Sequence, residues 1–477
     1  MSDMLTRGKE QPGWNWWLFT FRWPFYHTRL CWPEFLQGIA LASATGLALV
    51  PMMMANFGLT FEQAIAVSFV QGFLIGIAPI MFGEPYAPGW VTPALPLVLT
   101  FVLTGFDNPT ERFQAMAALT LTLTAMVAVL GVTGLGRRFM EWLPGSLKAG
   151  IILGAAVASF KRVFVDDAPD YLLAQPITTI TACAVCLIFI FSIPFRRLKL
   201  RSRPLMVLGS LGLLPGFLVA AVIGPFVGEV EYNVEWGILI PPVNEVWAIA
   251  SPFAIGWPDM DMYIAALPLA FITYIILFGD IVTAKEITRE AEHDRPDEHI
   301  RLDTTRTHIS VALRNLLAGI TTPFFPTQGS VWAGVHVVIV QRWRQGPDRM
   351  NSLFSGIHSY YFMGIPFIYF LLPLLTGLQP LMGIALSLTL VLTGFACAYV
   401  AMAIAVHPVE RGIALMTGMA IALFEPWIGL LVGIASAVVL IGGRDAESME
   451  QRIAGLEREY HVTDATSNHR DTPSDDT

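Results

Sequence analysis

The sequence predicts an all-α polytopic membrane protein with about 14 transmembrane segments. Hydrophobic residues make up 54% of the 477 residues and charged residues only 14%, whereas soluble domains carry roughly 25% charged residues. The apolar runs are also too long and too numerous for a soluble chain. The net charge of −8 arises partly from an acidic tail, so it says little about nucleic-acid partners. The expected partners are the lipid bilayer and a small-molecule or ionic substrate, and no nucleic acid.

Residues 1–33 form a segment ahead of the first predicted span. This segment is rich in tryptophan and also carries arginine and lysine. Such a mixture is typical of a segment that lies at the cytoplasmic membrane interface. Because it lacks an apolar core that ends in small residues, we predict no cleavable signal peptide.

Fourteen apolar stretches follow along the chain. In the first half, the predicted spans are 35–56, 61–82, 86–105, 113–134, 145–161, 176–195 and 204–227. In the second half, they are 262–283, 308–322, 326–341, 357–377, 380–406, 410–424 and 426–443. A charged linker at 285–307 separates the eighth and ninth spans, and a polar tail at 444–477 follows the last, with a short helix expected over Asp445–Tyr460.

An even number of spans puts both termini on one side of the membrane, and charge indicates which side. Basic residues follow the fourth, sixth and tenth spans on that side: Arg137, Arg138, Arg196, Arg197, Lys199, Arg201, Arg203, Arg342, Arg344 and Arg349. The loop 228–261 carries acidic residues and no Lys or Arg, so it faces out. By the positive-inside rule, both termini are cytoplasmic. We expect a multi-pass cell-membrane protein of the bacterial inner-membrane kind.

Two of the spans are interrupted by prolines at matching places in the two halves of the chain. Two prolines precede Thr327 within 321–340, and four occur within 85–101, around Thr92. Since proline cannot continue a helix across itself, each span is predicted to begin extended and to continue as a half-helix from Thr92 or Thr327. The half-helix amides would then line a cavity near the bilayer midplane. Paired interruptions indicate a secondary transporter's binding site, with ordinary proline-kinked spans as the alternative.

Polar groups at the two half-helix starts are the candidate substrate ligands. They are Thr327, Gln328, Gly329 and Ser330 on the tenth span, and Trp90 and Thr92 on the third. Hydroxyls, a side-chain amide and backbone amides suit carbonyl, carboxylate and other anionic oxygens. Trp90 would stack on a planar substrate, or pack as an ordinary membrane aromatic.

Two ionisable residues at membrane depth are candidates for ion coupling. Because an unpaired carboxylate in the membrane is costly, Asp280 would bind a proton or Na⁺. The alternative is a carboxylate at the helix end that reaches water or pairs with Lys285 or Arg314. His336 would relay protons or serve as a satisfied core histidine. Arg314 needs a buried partner, for which Asp280 is the candidate. Glu84, at a span end, is expected to face water.

Three parts of the chain resemble the nucleobase–ascorbate permeases. The opening LQGIALASATGLALVPMMMANFGL (36–59), with PGWVTPAL (88–95) further on, resembles the start of that family. The stretch WPDMDMYIAALPLAFITYIILFGDIVTAKEITRE (257–290) looks like its eighth span. RNLLAGITTPFFPTQGSVWAG (314–334) looks like its ninth span and tenth-span signature. In order and spacing, the motifs cover most of 35–345.

The resemblance implies two inverted seven-span repeats that build a core domain and a gate domain, an architecture shared with the sulfate permeases. Substrate would bind in the core domain between the third and tenth spans, and the gate domain would form a homodimer contact. The implied units are an N-terminal segment (1–33), core spans (34–134, 262–345 and 346–377), gate spans (135–227 and 378–443), an extracytoplasmic loop (228–261) and a tail (444–477).

Departures from the family leave the cargo open. Ile276 occupies the position of the family's substrate-binding glutamate, so the resemblance makes it a further candidate substrate-binding residue. Gln328 matches the tenth-span glutamine only with a shift of one residue. A nucleobase-like compound follows from the resemblance, whereas a small anion follows from the half-helix dipoles and the missing glutamate.

The predicted function is secondary active transport by an elevator-type movement of core against gate, coupled to H⁺ or Na⁺. A sulfate-permease-like anion transporter or exchanger without the C-terminal regulatory domain is the alternative. A channel is less favoured, because only a midplane polar cluster is present. The sequence contains no phosphate-binding loop, metal-ligand spacing or catalytic set that we recognise, so no cofactor and no enzymatic activity are expected.

Overall fold

The computed structural model describes residues 8–199, 201–202, 205, 211–324 and 327–442, which fold mainly into helices. The predicted tail at 444–477, the helix expected within it, and Pro326 lie outside the described residues. The helices assemble around one large apolar core that draws on both halves of the chain.

The first half of the chain alternates long apolar helices with short connecting ones. The helices are α1 (Trp32–Thr45), α2 (Val50–Phe57), α3 (Phe61–Met81), α4 (Leu95–Gly105), α5 (Pro109–Thr133), α6 (Leu135–Trp142), α7 (Gly145–Lys161), α8 (Pro176–Phe191), α9 (Ile193–Lys199) and α10 (Leu214–Phe226). A 3₁₀ turn over Thr92–Ala94 leads into α4.

The second half repeats this alternation and contains the longest helix. The helices are α11 (Val243–Ala250), α12 (Pro252–Ile255), α13 (Met260–Glu292), α14 (Thr304–Thr321), α15 (Ala333–Trp343), α16 (Leu353–His358), α17 (Leu372–Leu378), α18 (Met382–Ile404), α19 (Pro408–Leu423) and α20 (Pro426–Ile441). Between α16 and α17 the chain forms a π turn over Ser359–Gly364 and a 3₁₀ segment over Ile365–Phe370.

Short polar side chains mark where several long helices begin. The Thr60 hydroxyl accepts from the Gln63 N–H at 3.3 Å, and the Gln63 side chain accepts from the Thr60 N–H at 3.0 Å, which caps α3. Asn108 and Asp259 accept the corresponding amides at the starts of α5 and α13. Each cap contributes about 1 kcal/mol to helix stability.

Several helical segments are long and apolar enough to cross a membrane. Among the described residues there are five, or up to seven if each of two bent helix pairs counts as one span. The five are Trp32–Phe57, Phe61–Met81, Pro109–Thr133, Met260–Glu292 and Leu372–Ile404. The prediction of a helical multi-pass membrane protein is confirmed, and the count of fourteen spans stays a prediction. Helices α4 and α15, with 11 residues each, are too short to cross alone.

The helices pack in two sets. Helix α5 contacts α13 and α14, whereas α7 contacts α18 and α19. Small residues allow the second set to approach closely, since a Cβ on Gly150 would lie 2.5 Å from Thr417 Cβ of α19. The packing therefore joins early and late helices of the chain in both sets.

The N-terminal segment folds as a β-hairpin. Strand β1 (Trp14–Trp16) pairs antiparallel with β2 (Phe19–Phe21), and Trp17 adopts a φ of 49° in the turn. Phe19 packs on Phe82 just beyond α3, at 4.9 Å between ring centroids. The Trp17 ring is 74% exposed, so it is available to the membrane interface.

The charged linker between α13 and α14 is tied to the end of α15. The guanidinium of Arg295 is fully buried and donates to the backbone oxygens of Trp343 (2.7 Å) and Met350 (3.0 Å). The Glu298 carboxylate accepts from Trp343 Nε1 (2.7 Å) and Ser352 Oγ (2.6 Å). These charged groups are satisfied inside the protein and hold α13, α15 and α16 together on one side of the bundle.

Glu84 does not face water as predicted. Its side chain is 2% exposed, and its Oε2 accepts from Thr307 Oγ1 at 2.8 Å. The prediction was wrong because the N-terminal hairpin covers the turn after α3. At Gly83, the neighbouring residue, an added Cβ would lie 2.7 Å from the Thr20 carbonyl oxygen of β2.

Candidate functional site

The two interrupted spans meet as a pair of extended segments inside the bundle. Residues 87–91 and 327–332 run antiparallel, with Trp90 opposite Gln328. Three backbone hydrogen bonds join them: Val91 N–H to Thr327 O (3.0 Å), Gly329 N–H to Gly89 O (2.7 Å) and Trp332 N–H to Ala87 O (2.8 Å). This pairing satisfies backbone groups that lipid cannot satisfy. The predicted extended stretches of both spans are confirmed.

Two glycines permit the close approach of these segments. A Cβ on Gly329 would lie 3.0 Å from Gly89 O, and one on Gly89 would lie 2.8 Å from Trp332 Cβ. Both separations are shorter than the usual contact distance between non-bonded heavy atoms. Glycine is therefore required at both positions by the proximity of the partner segment.

Helix α15 begins at Ala333, later than the start predicted at Thr327. The prediction was wrong because residues 327–332 use their backbone to pair with 87–91 instead of forming a helical turn. The first-turn amides of Ala333, Gly334 and Val335 have no partner within the helix, and no side chain caps them. The anion-attracting end of the tenth span thus lies at Ala333 and Gly334.

We call the N-terminal end of each half-helix its tip. The tip of the third span has fewer free N–H donors than the tip of the tenth span. Pro93 lies in the 3₁₀ turn and Pro96 in the first turn of α4, and neither has an N–H group. The Thr92 hydroxyl lies 3.5 Å from the Trp90 carbonyl oxygen, which leaves this hydroxyl free to reorient toward a ligand. The two tips are therefore unequal, and most backbone donors belong to α15.

A cavity of about 810 Å³ lies at the ends of the two tips. Trp90 and Thr92 line it from the third span, and Ala333 and Gly334 line it from α15. Most of the other lining residues are apolar, and the polar ones include Gln37, Thr45, Lys199, Asp280, Gln341, Thr389 and Thr393. Because the lining extends to the beginning of α1 and the end of α15, the cavity reaches toward the side that carries the N-terminal hairpin.

Gln328 lies in a buried hydrogen-bond network and does not line the cavity. Its Nε2 donates to Gln71 Oε1 at 2.7 Å, and its Oε1 accepts from Arg314 Nη1 at 3.3 Å. Its backbone N–H and C=O both bond to the Asn315 side chain, at 2.9 and 2.8 Å. These hydrogen bonds show that Gln328 fixes the extended segment in place. Its predicted contact with substrate stays a prediction.

Arg314 is completely buried beside the extended pair. Its Nη2 donates to Gly329 O at 2.8 Å, while its Nε has no partner. The predicted pairing with Asp280 is wrong, because Arg314 bonds to neutral groups and forms no ion pair within the described part of the chain. Arg314 thus places a positive charge beside the extended pair, with the buried Glu84 carboxylate as the acidic group that interacts with it at longer range.

The remaining predicted ligands are buried outside the cavity lining. Thr327, Gly329 and Ser330 belong to the extended segment, and the Thr327 and Ser330 hydroxyls have no hydrogen-bond partner. Ile276 of α13 is 5% exposed and packs in the apolar core. Of the predicted substrate ligands, only Trp90 and Thr92 line the cavity, and a direct role for any of them stays a prediction.

Asp280 lines the cavity from α13 and is half-buried. It makes no hydrogen bond or ion pair among the residues that the structure describes, which include Lys285 and Arg314. The cavity lining therefore holds one carboxylate, Asp280, and one lysine, Lys199, with no ion pair between them among the described residues.

His336 is fully buried one turn into α15, and both of its ring nitrogens are engaged. Nδ1 accepts the Ala87 N–H at 3.3 Å, and Nε2 lies 2.9 Å from Thr288 Oγ1. The Thr288 hydroxyl donates to Ala284 O at 2.8 Å, so Nε2 carries the proton and donates to Thr288. This arrangement fits a satisfied core histidine, and a proton-relay role stays a prediction.

Sequence reasoning missed two side chains of the buried network, Gln71 and Asn315. Gln71 Nε2 donates to Thr322 O at 2.7 Å, so it connects α3 to the end of α14 as well as to Gln328. A signal was available, because an amide side chain within an apolar span is costly unless it has a partner. What the sequence lacked was the identity of that partner.

No family model matches the chain, and no curated protein matches it. Among solved structures, that of SLC26A9 has a TM-score of 0.52 at 13% identity and is matched over 86% of this chain and 65% of that one. Murine Slc26a9, an anion transporter in the inward-facing state, has a TM-score of 0.49 at 12% identity (86% and 68% covered). The transmembrane domain of the cyanobacterial bicarbonate transporter BicA has a TM-score of 0.49 at 12% identity (84% and 96% covered). The chain thus has the membrane fold of SLC26A9 while spanning about two thirds of its length.

Proposed function

We propose that the chain is a secondary active transporter that binds a small anion at the tips of the third and tenth spans. The observation that carries this proposal is the cavity at the first turn of α15, where no side chain caps the amides of Ala333 and Gly334 and the buried Arg314 bonds to the extended segment that leads into the helix. The fold likeness to SLC26A9 supports transport as the class of activity.

Electrostatics favour an anion over a neutral or cationic cargo. A helix N-terminus carries about half a positive charge, and its free amides bind anionic oxygens. Arg314 adds a full charge in a water-poor environment, where charges interact more strongly than in solvent. The apolar Ile276 in α13 adds no negative charge next to this region.

Asp280 provides a physical reason for coupling the anion to a cation. An ionised carboxylate in the cavity would repel an incoming anion, so cargo binding favours the state in which Asp280 is protonated or holds Na⁺. By reciprocity, the bound anion then favours cation binding. This mutual dependence is what anion–cation symport requires.

The transport movement is proposed as an elevator-type displacement between the two packed sets of helices. In this proposal, the spans around α5, α13 and α14 form the core domain, and those around α7, α18 and α19 form the gate domain and a homodimer contact. With both termini in the cytoplasm, the cavity would open inward. The core then carries the bound anion past the gate to the opposite side.

A nucleobase-like cargo is the second candidate. It is favoured by the mostly apolar cavity lining and by the half-buried Trp90, whose indole ring lines the cavity and could stack on a planar compound. Its weakness is the absence of a carboxylate at Ile276 to accept hydrogen bonds from a nucleobase.

Uptake into proteoliposomes separates these candidates. The purified chain is reconstituted, and accumulation of carboxylates, inorganic anions, purines and pyrimidines is measured with and without inward H⁺ or Na⁺ gradients. We expect anion accumulation above equilibrium that requires one of the cation gradients. Accumulation of purines or pyrimidines alone would overturn the anion proposal, and equilibration without accumulation would indicate a channel.

A further inference from the structure

Two neighbouring tyrosines after α16 line the same cavity. Tyr360 and Tyr361 lie in the π turn over Ser359–Gly364, which passes directly into a 3₁₀ segment. Their ring centroids are 4.9 Å apart, and each residue is only 2% exposed. Such interruptions of regular helix geometry often occur at functional sites, so this wall of the cavity merits a functional explanation.

Neither hydroxyl has a hydrogen-bond partner among the residues that the structure describes. Buried hydroxyls are nearly always paired, because leaving one unpaired costs free energy. Tyr274 illustrates the usual situation, since its hydroxyl lies 3.2 Å from His308 Nε2. Two adjacent unpaired hydroxyls at a cavity wall therefore indicate a ligand that supplies acceptor oxygens.

The two tyrosines share a cavity lining and a buried cluster with the first turn of α15. They belong to the same buried cluster as Val335, whose N–H is in the first turn of α15, and Trp90 packs against this cluster. The indole Nε1 of Trp90 is also buried without a partner. Residues with unpaired donors thus line this cavity from three parts of the chain.

We propose that Tyr360 and Tyr361 form a second cargo subsite that donates hydrogen bonds to an oxygen of an oxyanion. The first-turn amides of α15 bind another oxygen of the same ion. This inference rests on the proposed function and narrows the cargo to carboxylates and inorganic oxyanions. A halide is a single atom, so it uses both sets of donors only where they converge on one point, whereas an oxyanion places a separate oxygen at each set.

The test removes the hydroxyls and keeps the rings. Full-length wild type, Tyr360→Phe, Tyr361→Phe and the double variant are titrated calorimetrically with formate, nitrate and sulfate, and with chloride and bromide. We expect the double variant to bind its oxyanion about 10- to 100-fold more weakly, as hydrogen bonds to charged groups predict, with halide binding unchanged. Because the hydroxyls are unpaired, the ligand-free Tm should not fall.

Tyr274→Phe is the matched control, since it removes a paired hydroxyl that does not line the cavity. It should lower the ligand-free Tm and leave the oxyanion Kd unchanged. If the double variant binds oxyanions like wild type, or loses ligand-free Tm as the control does, the hydroxyls are structural and the inference is wrong. If wild type binds oxyanions and halides equally, the inference also fails, although anion transport stands. If wild type binds no anion at all, the proposed function itself fails.

Discussion

Arg314 brings a positive charge into the centre of the helix bundle, and the groups that accept its hydrogen bonds are neutral. A charge in this position is costly unless its hydrogen bonds are satisfied, and here two of them fix the Gln328 side chain and the Gly329 carbonyl. The same residue therefore shapes the extended segment and makes the potential around it positive. The anion proposal rests on these two roles of Arg314, the positive charge and the hydrogen bonds to the extended segment.

Two substitutions of Arg314 distinguish the effect of its charge from the effect of its hydrogen bonds to the extended segment. Arg314→Gln should weaken anion binding by roughly 10-fold or more, equivalent to at least ~1.4 kcal/mol, whereas Arg314→Lys retains the charge and should lose less. Isothermal titration with the transported anion measures both, and a thermal melt monitors folding. Equal losses in the two variants would mean that the charge of Arg314 does not contribute to anion binding.

Asp280→Asn tests the coupling ion. Removing the ionisable group should abolish accumulation driven by a H⁺ or Na⁺ gradient, because the variant no longer needs a cation to neutralise the cavity. Anion exchange between the two sides should survive. The measurement is radiolabelled uptake and counterflow in the same proteoliposomes, and concentrative uptake equal to that of wild type would remove Asp280 from the mechanism.

Among the secondary-structure elements, the two interrupted spans were predicted from their prolines, because proline cannot continue a helix. The same local argument did not predict the start of α15, because the backbone of 327–332 pairs with 87–91, which is distant in sequence. For the same reason Gln328 was recognised as a polar residue of the site, while its partners Gln71 and Arg314 were not assigned to it. Side-chain pairing between helices depends on tertiary distances that periodicity does not contain.

Gly329→Ala tests whether the extended pair holds the site together. The added Cβ would meet Gly89 O at 3.0 Å and the Trp90 carbonyl carbon at 3.1 Å, so we expect a lower Tm and a loss of anion binding. Gly279→Ala is the control, because a Cβ there meets nothing within 4 Å and alanine favours a helix by about 1 kcal/mol. The control should match or exceed wild type in Tm. Unchanged binding in Gly329→Ala would show that close pairing is dispensable.

For the whole molecule, composition predicted the class of fold because long apolar runs allow few alternatives to a helical membrane bundle. The N-terminal hairpin and the buried charges of the linker were not predicted. In the sequence, Arg295 and Glu298 lie in a charged stretch that is typical of a protein surface. In the structure, their partners are Trp343 at the end of α15 and Ser352 just before α16. The division into core and gate domains and the homodimer stay proposals at this scale.

Locating a heavy anion directly tests the central claim that the amides at the start of α15 bind the cargo. Crystals of the full-length protein would be soaked with selenate, and the anomalous signal of selenium would be mapped. The account predicts one peak in the cavity within hydrogen-bonding reach of the Ala333 and Gly334 amides, and loss of this peak in Arg314→Gln. A peak elsewhere in the bundle, or an empty cavity at saturating selenate, would contradict it.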